Sequence, residues 1–432
     1  MKLPHFRYWI AGLLMLATMI NYADRLMLSV VAPYVREEFG MSESDYGQVL
    51  FWFMAAYAVM YAGSGPLADR LGTRRGFTVF VTVWSLAAVG HATAIGKWSL
   101  TAWRFLLGLG EPGNWPAAAK AVAEWFPADQ RALGVGVFNA GSSLGSMLAP
   151  PVVAHLTLQY GWRTAFFFTG ALGFLWLVLW LLLYQPPHLS RFIGPEEWDY
   201  LKDEVRPPNE TAPARASLGE YLRVARMREC YSLIAARFFT DPVLYFVIFW
   251  LPEYLRKERN FDLAMIGKYA WVPFLFGDIG YLFGGWASGR LMRRGWPMIR
   301  ARTSILLLGA LLMPWAIFAP RVSQAWMAIG LTCFVTLAHA LWVSNLLTLP
   351  TDLFPGQRVG TVMGLSGMGG AVGGMLANLS TGYVVQHFSY TPVFAAAGLM
   401  HPLAFLVVWS LLLRHLLRKE AFKESLSPPE TA

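Results

Sequence analysis

Charge is scarce in this chain and cysteine nearly absent. Of its 432 residues, 14% are charged and 56% hydrophobic, a balance that a water-soluble core of this size does not need and a polytopic membrane protein does. Cys230 and Cys333 are the two cysteines. They are too few for a disulfide scaffold and lack metal-ligand spacing. Both thiols are expected to be inert, and no metal and no cofactor are expected. A nucleophile with its base and a nucleotide-binding loop are also missing, which argues against an enzyme. The net charge of +9 does not imply a nucleic-acid partner, because the surplus lies in short connections between apolar runs.

Those runs dominate what is present. Stretches of about 20 mostly apolar residues, enough to cross a bilayer, centre near Leu16, Ala56, Leu86, Leu107, Ser142, Leu175, Tyr245, Phe276, Leu308, Ala338, Gly370 and Phe405. The reading is an all-α membrane protein with twelve spans. Lys2 and Arg7 precede the first run as in a signal peptide, but it continues into Asn21, Asp24 and Arg25 without a small-residue cleavage site, so it is kept as a span. Lys and Arg concentrate in alternate connections, for example Arg70, Arg74 and Arg75, the cluster from Arg191 to Arg228, and that from Arg290 to Arg302. By the positive-inside rule both termini are cytoplasmic.

The longest polar segment, 185–228, holds Pro186, Pro187, Pro207, Pro208 and Pro213 and reads as a linker, with a short surface helix expected over 196–204. It divides the chain into bundles 1–184 and 229–432 of six helices each. The halves echo each other. Gly65, Arg70, Leu71 and Arg74 recur at one offset as Gly285, Arg290, Leu291 and Arg294, and Phe126-Pro127 recurs as Phe354-Pro355. Such internal repeats place a transport site near mid-membrane.

Four charges stand deep in the apolar runs: Asp24 and Arg25 in the first, Arg104 and Glu111 in the fourth. Charges there cost about 2.5–3.5 kcal/mol each on insertion scales and are usually paired and functional. Asp24 and Arg25 lie about 100° apart around a helix and cannot point the same way. Arg104 and Glu111 share a face but stand about 10 Å apart along it, so each needs a partner from the first helix. One arrangement pairs Asp24 with Arg104 and leaves Arg25 to a ligand; the alternative is a structural ion pair of Arg25 with Glu111 or Asp24.

The run from Gly65 through Asp69, Arg70, Gly72 and Arg74 to Gly76 resembles the signature cytoplasmic loop of the major facilitator superfamily. Asn21-Tyr22-Ala23-Asp24-Arg25, Gly108 to Pro116 and Glu124 to Pro127 resemble its anion:cation symporters. Asp241-Pro242, Phe249 to Pro252 and Trp342 to Asn345 are similar to the pattern of the hexuronate carriers within that group.

The resemblance implies a twelve-helix symporter importing a sugar-acid anion, a hexuronate such as galacturonate or glucuronate, with protons by alternating access across a bacterial inner membrane. A monomer is expected. It implies proton coupling at Asp24 and Glu111 and a substrate-carboxylate role for Arg25, whose planar fork suits a carboxylate. Tyr22, Tyr57, Asn139, Ser142, Trp342 and Asn345 are the expected contacts to the sugar, Ser344 and Thr348 stand beside the last two, and Arg104 is the charge partner. Gly65, Asp69, Arg70, Gly72 and Arg74 are expected to gate.

Glycines and alanine fill the Gly364–Gly374 stretch where aldonate carriers of the group have asparagines, which argues against an aldonate. The alternatives are another organic anion, namely an aldonate, tartrate or aromatic acid, or a non-transporting sensor. Neither Asn209 nor Asn378, though each begins a glycosylation pattern, should be modified. Arg25→Lys is expected to weaken uptake sharply, because an ammonium cannot grip a carboxylate with two parallel bonds; unchanged uptake in a transport assay removes the role.

Overall fold

A computed structural model describes residues 5–127, 130–202, 218–354 and 356–413. Lys2, Pro207, Pro208, Asn209, Pro213, Pro355 and the tail from Arg414 lie outside them. The chain forms two compact units, Met1–Arg215 with Ile248–Trp271, and Ala216–Val247 with Val272–Ala432.

In the first unit the elements are α1 (Phe6–Phe39), α2 (Glu43–His91), α3 (Lys97–Gly110), α4 (Asn114–Trp125), α5 (Arg131–Tyr160), α6 (Trp162–Leu183) and the short α7 (Pro195–Leu201). The rest are α8 (Leu218–Ala225), α9 (Arg228–Arg259), α10 (Leu263–Tyr269), α11 (Val272–Arg293), α12 (Met298–Leu312), α13 (Ala325–Leu346), α14 (Leu349–Leu353), α15 (Gly356–His387) and α16 (Tyr390–Val408), of which α10 and the end of α9 also belong to the first unit. All twelve expected centres fall inside helices. Eight helices among the described residues are long and apolar enough to cross a membrane.

Local chemistry sets the helix ends. Gly40 closes α1 at φ 60°, the left-handed conformation that glycine adopts without penalty. A reciprocal cap opens α2, Ser42 accepting from the Asp45 N–H while Asp45 accepts from the Ser42 N–H. At 49 residues α2 is long enough for two passes, and it breaks at Gly72, where φ 75° and ψ 162° exclude a side chain. The repeat in α11 breaks three positions later: Met292 stands where Gly72 would, the helix runs on, and the turn falls at Gly295 with φ 84°.

The end of α9 packs in the first unit. Tyr46 donates to the Phe249 carbonyl at 2.9 Å and crosses the Trp250 ring edge-on at 5.0 Å. Arg36 pairs with Glu253 and Lys257 with Glu43 at 2.8 Å.

The expected linker helix is present as α7, but it is not a free surface element. His5 offers α1 no side-chain cap, and Glu197 supplies one from α7, accepting from the Phe6 N–H at 2.6 Å and the Arg7 N–H at 3.2 Å. Glu197 and Leu201 are buried as a result. In the second unit, Leu233, Leu306, Trp342, Leu346, Val362 and Leu365 belong to one apolar cluster. Cys230 and Cys333 are free and buried.

Hydrocarbon offers helices no hydrophobic drive to associate, so close packing through small residues does the work. A Cβ on Gly141 or Gly145 of α5 would strike the Met15 or Met19 carbonyl of α1, whereas one on Gly136 meets nothing within 4 Å. Gly145→Val is therefore expected to lower the thermal midpoint in detergent by an overpacking penalty of about 1–3 kcal/mol. Gly136→Ala should hold or raise it through helix propensity; equal midpoints for the two variants contradict this packing account.

Candidate functional site

The deep charges meet in the first unit, around the middle of α1. Their placement begins with a tightened turn in the fourth apolar run. Pro112 follows Glu111, and the helix ends at Gly110, passes through a 3-10 turn at Glu111–Gly113 and restarts at Asn114. Gly108, Gly110 and Gly113 let this segment lie on α2, where a Cβ would meet the Phe53 carbonyl, the Trp84 backbone and the Phe80 ring. The Glu111 side chain is thereby aimed at α1.

Arg25 receives it. Its Nε donates to Glu111 Oε2 at 2.8 Å and its Nη2 reaches the same oxygen at 2.7 Å. Nη2 also donates to the Tyr57 hydroxyl at 3.0 Å and to Asn21 Oδ1 at 3.4 Å. The guanidinium carbon lies 4.7 Å from the Tyr22 ring centre and 4.8 Å from that of Tyr57, distances at which ring faces attract a cation. Asn21 donates onward to the Glu111 carbonyl at 3.4 Å. Arg25 is 3% exposed and Glu111 0%, so neither charge is balanced by water.

Arg104 behaves differently from the expected arrangement. It does not bond the Asp24 carboxylate; its Nη1 and Nη2 donate to the backbone carbonyls of Asp24 and Arg25 at 3.4 and 2.6 Å. Its guanidinium lies 4.5 Å over Phe53. Arg25 is held by Glu111, the ion pair expected as the alternative to leaving it for a ligand. The physical reason is reach: Glu111 faces α1 at Arg25, and Asp24, a third of a turn from Arg25, faces Thr169 of α6. Neither Asp24 carboxylate oxygen makes a hydrogen bond, although the Thr169 hydroxyl lies beside it.

Of the expected sugar contacts, Tyr22 and Tyr57 join this cluster. Asn139 donates to its own helix at the Val135 carbonyl, 2.9 Å, and Ser142 to the Asn139 carbonyl, 2.7 Å; both are partly exposed on α5. In the second unit Trp342 and Asn345 are fully buried. Trp342 packs on His401 at 5.5 Å, and Asn345 donates to the Gly284 carbonyl at 3.1 Å and accepts from Arg302 at 3.4 Å. His339 is a buried residue with a hydrogen-bonding distance of 3.2 Å to His401. Asn21, Thr18 and Asn114 were not singled out from the sequence as site residues. Asn114 donates to the Thr18 hydroxyl at 3.0 Å, and only the position of Asn21 one turn before Arg25 signalled its part.

The signature loop lies apart from this cluster. Asp69 is exposed and pairs with Lys120 at 3.0 Å. Arg70 is exposed, and Arg74 donates to the Leu181 carbonyl at 2.6 Å. Gly65 faces open space, and Gly72 makes the break. Thr73 and Tyr184 both bond Glu124, tying the loop to α4 and α6.

Comparison with known proteins accords with this geometry. Residues 14–378 match the Major Facilitator Superfamily. The chain is 32% identical to the hexuronate transporter of Escherichia coli (strain K12) over 414 residues, 95% of each chain. It is 32% identical to the galacturonate transporter of Dickeya chrysanthemi over 314 residues, 72% of this chain and 90% of that one. The inward open xylose transporter XylE from E. coli shares the fold with a TM-score of 0.72 at 15% identity, covering 94% of this chain and 96% of that one. With its apolar helices and bacterial relatives, the protein is a multi-pass protein of the bacterial inner membrane. A match over most of the sequence, with relatives above 30% identity, shows that this chain belongs to the Major Facilitator Superfamily.

Proposed function

We propose that the protein is a symporter that imports a hexuronate together with one or more protons by alternating access, its Lys- and Arg-rich ends facing the cytoplasm. The observation that carries this reading is the Arg25–Glu111 pair, an arginine and a carboxylate buried together with Tyr22, Tyr57 and Asn21 around them. Relatives named as hexuronate, galacturonate, D-galactonate and galactarate/D-glucarate transporters support the sugar-acid class.

The chemistry follows from charge balance. While Glu111 is ionised, it satisfies Arg25 and no anion is needed. A proton on Glu111 removes that counter-charge and leaves a guanidinium buried without one, a state that a substrate carboxylate relieves by taking the vacated donors. Anion and proton then enter and leave together. The Tyr22 and Tyr57 rings offer faces to the sugar, and Asn139 and Ser142 neutral polar groups. Asp24 is the second acid, so one or two protons per anion are both chemically open. A monoanion moving into a negative interior costs about 2.3 kcal/mol per 100 mV; one proton cancels this and two let the potential drive uptake. Asp69, Arg70 and Arg74 are assigned to gating, with Gly65 and Gly72 shaping their loop.

The test is uptake of labelled galacturonate into proteoliposomes under an inward proton gradient. Wild type should concentrate it, and Glu111→Gln should abolish concentration while exchange across the membrane survives. Concentrative uptake by the variant overturns the coupling role, and no uptake of galacturonate or glucuronate by folded protein moves the substrate to the aldonates or other organic acids, compared by competition. Tyr57→Phe and Asn21→Ala each remove a hydrogen bond to a charged group, about 1.5–3 kcal/mol, and should weaken anion affinity by roughly tenfold or more in the same assay.

A further inference from the structure

The second copy of the repeated loop departs from the first in one direction. At the offset that matches Arg70 with Arg290 and Arg74 with Arg294, Gly289 replaces Asp69, Arg293 replaces Thr73 and Trp296 replaces Gly76. An acid is lost while a base and an indole are gained. In the first copy Asp69 is paired with Lys120 at 3.0 Å and Thr73 is bonded to Glu124. In the second, Arg290, Arg293 and Arg294 are exposed, and among the described residues their side chains have no hydrogen-bond or ion-pair partner. The stretch 279–351 contains no Asp or Glu, and Asp352, the next acid, is taken by Arg302 at 3.2 Å. A helix C-terminus favours a cation in its last turn, but like charges three and four residues apart repel, and three of them together call for an anion.

These arginines end an apolar stripe. One face of α11 is closed by α13, a helix long and apolar enough to cross a membrane: a Cβ on Gly280 or Gly284 would strike the Leu337 carbonyl or the Ser344 hydroxyl. The opposite face carries Ile279, Leu282, Trp286, Gly289 and Arg293 at alternating spacings of three and four, which set them in one line along the helix. Leu282 is 77% exposed and Trp286 58%, and Ile279 and Arg293 are exposed as well. Gly289 leaves a notch in this line, because a Cβ there would meet no atom nearer than Arg293 Nη1, at 3.7 Å. Aliphatic side chains, an indole, bare backbone and guanidinium groups thus follow one another over about 16 Å of helix. The acyl chain, ester region and phosphate of one leaflet follow in the same order.

We propose that this face of α11 binds one acidic phospholipid. Its phosphodiester lies over Gly289 against Arg290, Arg293 and Arg294, Trp286 stands at the ester level, and an acyl chain runs along Leu282. The membrane thereby supplies to the second copy the negative charge that Asp69 supplies to the first. A soluble phosphate would engage the arginines but leave the apolar line bare, which is why the occupant is a lipid. The proposal needs the membrane location alone and is independent of the transported substrate.

The experiment titrates the purified full-length protein in detergent with phosphatidylglycerol, cardiolipin or phosphatidylcholine and reads bound lipid by native mass spectrometry, with glycerol 3-phosphate as the soluble headgroup. Wild type should bind the two acidic lipids about tenfold or more tighter than phosphatidylcholine. Arg290→Gln/Arg293→Gln should lose that preference. Arg223→Gln/Arg226→Gln, which removes the same charge from exposed positions on and just after α8, should keep it. Gly289→Asp returns the acid of the first copy to an open position, so the fold should hold while the preference goes; where the Arg290→Gln/Arg293→Gln variant does not fold, Gly289→Asp decides. Equal wild-type affinity for acidic and neutral lipid, equal losses in the two charge-matched variants, or a preference retained in Gly289→Asp overturns the site. Displacement of phosphatidylglycerol by equimolar glycerol 3-phosphate gives the arginines to a soluble phosphate and overturns the lipid.

Discussion

A guanidinium placed in hydrocarbon must carry its counter-charge with it, and the first unit is arranged around meeting that demand for Arg25. Glu111 is the counter-charge, and it reaches α1 from a 3-10 turn that Pro112 places in the fourth apolar run. Gly108, Gly110 and Gly113 bring this segment onto the backbone of α2 and the Phe80 ring. Tyr22 and Tyr57 cover the faces of the cation, and Asn21 and Tyr57 fill further donor directions. Each of these residues serves one electrostatic requirement, which explains why so many unlike side chains converge within a few turns.

Close approach is the second constraint, and it follows from the first. An ion pair spanning two helices is short only if the helices nearly touch, and lipid supplies little pressure to bring them together. Glycines supply the space instead. Gly141 and Gly145 set α5 on α1, Gly280 and Gly284 set α11 on α13, and Gly369, Gly370 and Gly373 set α15 on α9. The glycine run of α15, which looks superficially like a phosphate loop, is a packing surface.

Much of this was legible from residues alone. Each of the twelve centres drawn from apolar run length falls inside a helix, and the depth of Asp24, Arg25, Arg104 and Glu111 in those runs pointed to the buried charge cluster. The seven-residue spacing of Arg104 and Glu111 correctly required a partner on α1 for each. Which partner each would take was not legible, because it turns on the direction of side chains on two packed helices, which spacing along one helix does not give. The docking of α7 was hidden for a different reason: Glu197 lies 191 residues from the Phe6 N–H that it accepts from, and nothing local announces a cap supplied from so far along the chain. The loop repeat was plain in sequence, but the shift of its turn from Gly72 to Gly295 depends on where φ becomes positive.

Arg104 would let the proposed exchange of counter-ion at Arg25 proceed without the helices coming apart. It stands seven residues before Glu111, and both contact α1 at Arg25. Glu111 holds the guanidinium of Arg25, while Arg104 holds that residue's own carbonyl and the one before it. A lysine has no planar fork to reach two carbonyls one residue apart, whereas a guanidinium does. The backbone link does not depend on the protonation of any carboxylate. If Glu111 lets go of Arg25, α1 stays in register with α3 through Arg104, and the freed guanidinium remains between Tyr22 and Tyr57. A change of partner at Arg25 is thereby separated from the packing of the helices that carry it.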